Sequence, residues 1–529
     1  MIQKPTNYNN IKFYENYQLK LPLEMDILIP EDDSVRLLNL VLEGLDYSKL
    51  YNKYSVKGRK SKVDPKIMFK IITYANMENI YSSRDIEKAC RRDINFKWLL
   101  QGAQPPDHST ICRFEYEKID ENILEDLFCQ FINVLYALGE INFKNIFIDG
   151  TKIEAAANRY TFVWRKTIMY HEKKMNIKIS EIFEKVNTIF NQNFTINSEE
   201  DIYTINEINN VLNFLQDIKN ETNTIFVYGR GRKKSQLQKL TEGLEKYADR
   251  RIKYDDQYLK LGDRNSYSKT DVDATFMRMK TDYMGNTALL PAYNWQLVSA
   301  GELILFGLTS QSASDNKCFI PLMNKYKSLF GTYPKTPVAD AGYGNLETYS
   351  FCKNNQIELF MKFASWEKET HNKKFHEDPF RSVNFKIDDE GHPICPNGKK
   401  FFKLNETPIK GNKDKRTEEK YQCESCEGCP FKNQCNQSNH NRVININRTL
   451  TSYHKEVIDN LASERGIELR CNRSYMAEGA FGVIKQDYNY RRISRVSLKK
   501  VNLELYLIII GFNLAKYHNL IHRINYEVC

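Results

Sequence analysis

The chain has no apolar run long enough to cross a bilayer. Its longest, Leu505 to Leu514, is about ten residues and contains Gly511 and Asn513, whereas a spanning helix needs about 20. A buried C-terminal helix is the expectation there. The opening Met-Ile-Gln-Lys-Pro-Thr-Asn-Tyr lacks the apolar core of a secretory signal. No membrane partner is therefore expected, and the cytoplasm is the expected location. Twelve cysteines without such a signal argue for free thiols or metal ligands in a reducing compartment, not for a disulfide framework. An isolated histidine such as His108 has no partner pattern that suggests acid–base work and reads as a turn or packing residue.

What is present is ordinary globular chemistry with a basic tilt. Apolar residues make up 41% and charged residues 27% of 529 positions, enough for roughly two to four domains with substantial cores. Lys and Arg number 77 against 67 Asp and Glu, a net charge of +10, which weakly favours a polyanionic partner. Residues 1–135 read as helical. Asp64 and Pro65 supply an N-cap and a first-turn proline, and Ile67, Met68, Ile71, Ile72 and Ala75 follow at helical spacing. Further helices are expected after Ser82-Ser83, and after Asp107 or Ser109 beyond a turn with Pro105-Pro106. Short helices with tight turns suit a helix-turn-helix DNA reader, and equally a plain helical packing domain. The basic residues Lys57, Arg59, Lys60, Lys62, Arg91 and Arg92 favour the former.

Beyond residue 140 the pattern becomes α/β. Strands are expected at 146–148, 293–298, 303–308, 337–340 and 357–361, and helices at 318–330, 346–355, 474–486 and 498–518. This mixed unit would comprise 143–162, 266–374 and 455–522. Two insertions interrupt it. One is charged and helical (163–265), with the basic loop Arg230-Gly-Arg-Lys-Lys234; the other is Cys-rich (375–450).

Three acids carry the candidate chemistry. Asp149 ends Ile146-Phe147-Ile148, Asp340 follows Pro337-Val338-Ala339, and Glu478 opens Glu-Gly-Ala-Phe-Gly-Val-Ile-Lys. Side chains at strand ends point into the crevice where open α/β sheets bind ligands. Hard cations such as Mg²⁺ prefer such oxygen donors, and two ions can clamp the attacking and leaving oxygens of a phosphodiester. Lys485 lies seven residues beyond Glu478, nearly on one helical face. With Arg491, Arg492, Arg495, Lys499 and Lys500 it forms the densest basic stretch near a candidate site, suited to phosphate contacts. Asp271 and Asp273 sit in a turn-like context without a preceding strand and read as structural or substrate-positioning residues.

The segments IFIDGTKIEA, YSKTDVDATFMRMK, TPVADAGYGNLETY and RSYMAEGAFGVIKQDYNYRR resemble the DDE transposases of bacterial insertion sequences, and SSRDIEKACRRDINFKWLLQG…PDHSTICRFE resembles their InsH-type N-terminal domain. The resemblance runs from about residue 40 to 520. It implies an RNase H-like core in which Asp149, Asp340 and Glu478 are the catalytic triad and hold two Mg²⁺, with Mn²⁺ as a substitute. It also implies Mg-dependent cleavage of double-stranded DNA at the element ends and transfer to target DNA. The expected assembly is a homodimer or larger on DNA, at the bacterial nucleoid. Some relatives carry Tyr-x₂-Arg-x₃-Glu-x₆-Lys around the glutamate. Lys485 matches its lysine, but Cys471 and Ser474 stand at the Tyr and Arg positions. Arg470, Arg473 and Tyr475 are the neighbours that could replace them; Arg473 joins Lys485, Arg491 and Arg492 as a candidate phosphate ligand. Two other readings stay open: an RNase H-like nuclease that cuts without joining, and a transposase-derived DNA-binding protein.

Cys423-x₂-Cys426-x₂-Cys429-x₅-Cys435, with Cys395 upstream, offers five candidates for a four-ligand structural Zn²⁺. An iron–sulfur pattern fits less well because its last gap is too long, and free thiols are the third option. Similar transposases carry a Cys-rich insert between the second Asp and the Glu.

Overall fold

The computed structural model describes residues 25–54, 61–198, 201–280, 288–408 and 417–527. The opening segment and the basic residues Lys57, Arg59 and Lys60 lie outside them. The chain divides into two units, one of Met1–Ile123 with Ile510–Cys529, the other of Leu124–Ile509. The last part of the C-terminal helix, Leu498–Glu527, thus clusters with the N-terminal helices, whereas the sequence reading assigned 455–522 to the mixed α/β unit.

In the first unit the cap signals are realised. The Asp64 carboxylate accepts the Lys66 amide at 2.8 Å, and Pro65–Met77 follows as a helix buried on nearly every face. Helices Ser83–Arg92 and His108–Arg113 form as expected, the second capped by Asp107 through the Thr110 amide at 2.7 Å. Between them stands Ile94–Leu99, capped by Asp93. Six residues are too few to show a helical period, so the sequence did not reveal it. His108 Nδ1 lies 3.0 Å from Glu87, a turn contact. Arg91 pairs with the same glutamate at 2.6 Å, while Lys62 and Arg92 are exposed.

The second unit is built on a mixed six-stranded sheet. Its strands are β1 (Asn145–Glu154), β2 (Thr275–Arg278), β3 (Leu289–Ala300), β4 (Leu303–Ser310), β5 (Thr336–Gly344) and β6 (Phe360–Phe363). Strand β1 is central, antiparallel to β3 on one side and parallel to β5 on the other; β6 extends the parallel side. The long β3 pairs along its outer edge with β2 near its start and with β4 beyond. Val, Ile, Leu and aromatic residues give β3 and β4 their strand preference, and both are buried along most of their length. Strand β6 begins three residues later than the apolar run Ile357–Met361 suggests; Ile357 and Leu359 are buried ahead of it.

The helical insertion comprises Arg165–Phe190, Ile205–Glu221 and Gln236–Leu261 around its own core of Ile179, Phe183, Val211, Leu215 and Leu244. A buried Arg251–Glu172 pair crosses it, with Tyr258 donating to Glu172 at 2.8 Å. The basic loop 230–234 is exposed. The Cys-rich insertion contains a three-stranded sheet, Phe401–Pro408, Thr417–Cys423 and Val443–Ile446, over a small core of Phe385, Phe401, Tyr421 and Ile444.

Gly344 closes β5 where the chain turns toward helix Leu346–Asn354. A Cβ there would overlap the Lys362 carbonyl oxygen and the Tyr349 hydroxyl. Gly344→Ala should therefore destabilise the protein by roughly 1–3 kcal/mol, the usual cost of overpacking, measured as a lower urea midpoint at unchanged slope.

Candidate active site

Two of the acids are brought together by strand pairing. The parallel register of β1 and β5 ends at Ile148↔Ala339. Asp149 and Asp340 are the next residue on each strand, and neighbouring strands run about 4.8 Å apart. The Asp340 carboxylate accepts the Ala341 amide at 2.7 Å and is exposed. Asp149 is more deeply set and is bonded by the Gly150 amide.

The third acid arrives on a helix. From Glu464 the chain is helical to Arg473, passes through a π-helical turn at Ser474–Glu478, continues as Gly479–Gly482, and makes a second π turn at Val483–Asp487. The expected helix is thus present but begins earlier and is twice overwidened. Such turns concentrate at functional sites. Gly466 permits the entry, because a Cβ there would overlap the Asn460 carbonyl oxygen and Leu461. Ser299 of β3 lies against the Phe147 carbonyl at 3.4 Å and the Met476 carbonyl at 3.5 Å, which ties the first π turn to β1 and β3.

The electrostatics record the convergence. Burial pushes the Asp149 carboxyl up to about 6; the Gly150 amide and Arg473 oppose the shift, and the charges of Glu478 and Asp340 reinforce it. The charges of Glu478 and Asp340 thus both act on Asp149. Arg473 donates to Glu478 at 2.6 Å, its side chain mostly buried and the glutamate exposed. Arg473 is the cation of the cluster in this structure.

The remaining predicted cations are arranged differently. Lys485 faces inward, donating to the Thr151 hydroxyl and to the Lys152 carbonyl at 3.2 Å. Burial lowers its ammonium to about 8, helped by Lys280 and opposed by Asp149. The two π turns alter the helical phase, so seven-residue spacing does not set the relation of Lys485 to Glu478. Arg492 borders Glu154 at 3.5 Å, where Ile493 extends the edge of β1 through a bond to the Glu154 carbonyl at 2.9 Å. Arg491 is exposed. Asp271 accepts the Tyr293 hydroxyl at 2.9 Å, and Asp273 accepts the Leu498 amide at 2.9 Å at the start of the C-terminal helix. Both make structural contacts.

A fourth acid escaped the sequence reading. Asp315 Oδ1 accepts from Asn294 Nδ2 at 2.7 Å and Gln296 Nε2 at 2.8 Å. Nothing in Ser-Asp-Asn-Lys distinguishes it from a surface turn; its partners lie about twenty residues back on β3.

The thiols gather only in part. Cys423 and Cys426 lie in the small core of their insertion with Cys395 packed against it. Burial drives the Cys423 thiol up to about 12. Cys435 accepts from Arg442 Nη1 at 2.8 Å. Among the described residues no three of these sulfurs lie within 4.8 Å of one another, so a four-thiolate set is not assembled in this structure. The group that does meet that distance, Asp388, Glu390 and His392, is a turn in which Lys400 pairs with Asp388 at 2.9 Å.

Asp149 and Asp340 lie mid-strand, not at strand ends as expected, just past the last pair of the ladder their strands share. A mixed sheet of this order, with the third acid on an apposed helix, belongs to the RNase H-like class. Two family models match the chain, Transposase DDE domain over residues 394–518 and Transposase domain over residues 23–117. Together they identify a DDE transposase of an insertion element. No curated protein and no solved structure matches the chain. The first match spans Glu478, Lys485 and the five candidate zinc cysteines; Asp149 and Asp340 lie outside both. The family implies a DNA substrate and use of a divalent metal. Among the described residues no helix is long and apolar enough to cross a membrane.

The folded state holds the Asp149 proton more tightly than the unfolded chain, so ionising it costs stability; the cost is fully present above about pH 6 and absent well below 3.8. Asp149→Asn should therefore raise the melting temperature at pH 7.5 in the absence of divalent ions, as differential scanning calorimetry of the two proteins would show.

Proposed function

We propose that this transposase binds the terminal inverted repeats of its element through the N-terminal helices and cuts and joins DNA at the site formed by Asp149, Asp340 and Glu478. The observation that carries the reading is the action of two acidic charges on a third: Glu478 and Asp340 both raise the cost of ionising Asp149, and a cation there would offset it. The donors are all carboxylate oxygens, one partly buried and two exposed, which fits hard ions such as Mg²⁺ or Mn²⁺. Bound there, two such ions would activate the attacking oxygen and stabilise the leaving one.

The chain's own residues hold and orient. Asp149 and Asp340 are fixed by strand pairing, and Glu478 by the π turn against β3. Arg473, which neutralises Glu478 in this structure, is placed to move to substrate phosphate when that carboxylate takes up an ion. The exposed Arg491 and Arg492 supply further positive charge toward the DNA backbone, while Lys485 is held inward against Thr151 and the Lys152 carbonyl of β1. Hydrolysis of the phosphodiester at the element end frees a 3′-hydroxyl, which then attacks a phosphodiester of target DNA. No side chain forms a covalent intermediate, so none of Ser, Tyr or Cys is needed as a nucleophile. Transposition joins two ends, so a dimer or larger assembly on DNA is the working form, acting on the chromosome in the cytoplasm.

Asp149→Ala should lose cleavage of a terminal-repeat duplex by at least about 10³-fold, since the chemistry has no alternative ligand, while gel-shift affinity for the same duplex stays within about twofold. A variant that still cuts removes the assignment. With a pre-cut end, the wild type should join it to a target plasmid; cleavage without joining would make the protein a nuclease.

A further inference from the structure

Asp315 lies on the side of the sheet that the triad does not use. Asp149 pairs with Leu297 and Gly150 with Gln296. Side chains alternate along a strand, so Gln296 and Asn294 project away from the face that Asp149, Trp295 and Ser299 share. On that face Ser299 meets the π turn and Trp295 stacks on Tyr490 at 5.3 Å. On the other, Asn294 and Gln296 are fully buried, and their amide N–H groups converge on one oxygen of Asp315. Gln296 Nε2 also donates to Asn294 Oδ1 at 3.1 Å, and its Oε1 accepts the buried Tyr343 hydroxyl at 2.5 Å.

This network touches the backbone that carries both aspartates. A Cβ on Gly150, the residue after Asp149, would overlap the Gln296 amide and come within 2.8 Å of Asp315 Oδ1. A Cβ on Gly342, two residues after Asp340, would lie 3.5 Å from Asp315 Oδ2. Tyr343, the next residue, feels the charges of Asp315, Asp149 and Asp340 together. The network lies beside both strands where their pairing with each other stops.

We infer that Asp315 is a positioning residue for the metal ligands: by gripping Gln296 and Asn294 beneath Gly150 and Gly342, it sets the separation of Asp149 and Asp340. The inference rests on the triad reading above. It acts through placement, because the carboxylate oxygen works as a fixed hydrogen-bond acceptor that an amide oxygen can replace.

The test uses the full-length protein and Mn²⁺, reading the Mn²⁺ concentration that gives half the maximal rise in melting temperature. Asp315→Asn keeps an acceptor oxygen in place and should stay within about threefold of wild type. Asp315→Glu keeps the charge but displaces it by one methylene, and should raise that concentration about 10-fold or more, the usual effect of disturbing the groups that orient a metal ligand. Asp315→Ala should do the same. A Glu variant that matches wild type, or an Asn variant shifted as far as Glu, overturns the inference, and neither outcome needs the Ala variant to fold. A wild type that shows no Mn²⁺-dependent rise overturns the triad reading as well; a normal rise with all three variants unshifted overturns the role of Asp315 alone.

Discussion

The site depends on one pairing, the parallel ladder between β1 and β5. It ends one residue before each aspartate, at Ile148 and Ala339. Hydrogen bonding between these two strands therefore stops at the acids, while β1 stays paired with β3 through Asp149 and on to Glu154. Placing two acids on adjacent strands is unfavourable by itself. The structure accommodates it with Arg473 against Glu478, with the Gly150 amide on Asp149, and with a carboxyl on Asp149 that burial has pushed up to about 6. Like charges held close in this way form a site that gains by taking up a cation.

The surroundings divide the labour between the two faces of β3. Ser299 and Trp295 face the segment that carries Glu478, Ser299 through Met476 and Trp295 through Tyr490, just past the helix. The even-numbered β3 residues Asn294 and Gln296 hold Asp315 and Tyr343. One strand thus supports the glutamate from one side and the two aspartates from the other. Glycine is needed at 150 because the Gln296 amide and Asp315 occupy the space a Cβ would take, whereas a Cβ at 342 would make ordinary contact with Asp315.

The legible parts of the sequence were those governed by local signals. Apolar runs ending in Asp-Gly and Asp-Ala-Gly marked Asp149 and Asp340, and the hairpin of β3 and β4 followed from two β-prone runs around a turn. The Asp64-Pro65 cap announced its helix. What stayed hidden depends on distant partners. Asp315 looks like a turn residue until β3 is beside it. The inward turn of Lys485 toward Thr151 needs β1 in place, and the first π turn around Glu478 meets Ser299 of β3, a partner far away in sequence. The short helix Ile94–Leu99 is set by the Asp93 cap and by burial of Phe96 and Leu99, with too few residues to show a period. The family resemblance supplied the link between the three acids, which no local pattern could.

Asp149, Asp340 and Glu478 are proposed to form one divalent-ion site. The most direct measurement is an anomalous difference map from crystals grown with Mn²⁺. Strong peaks bridging these three carboxylates, with Arg473 released from Glu478, are the predicted result. Peaks only at another acidic group, such as Asp388, Glu390 and His392, with the Arg473–Glu478 pair intact at saturating Mn²⁺, would contradict it.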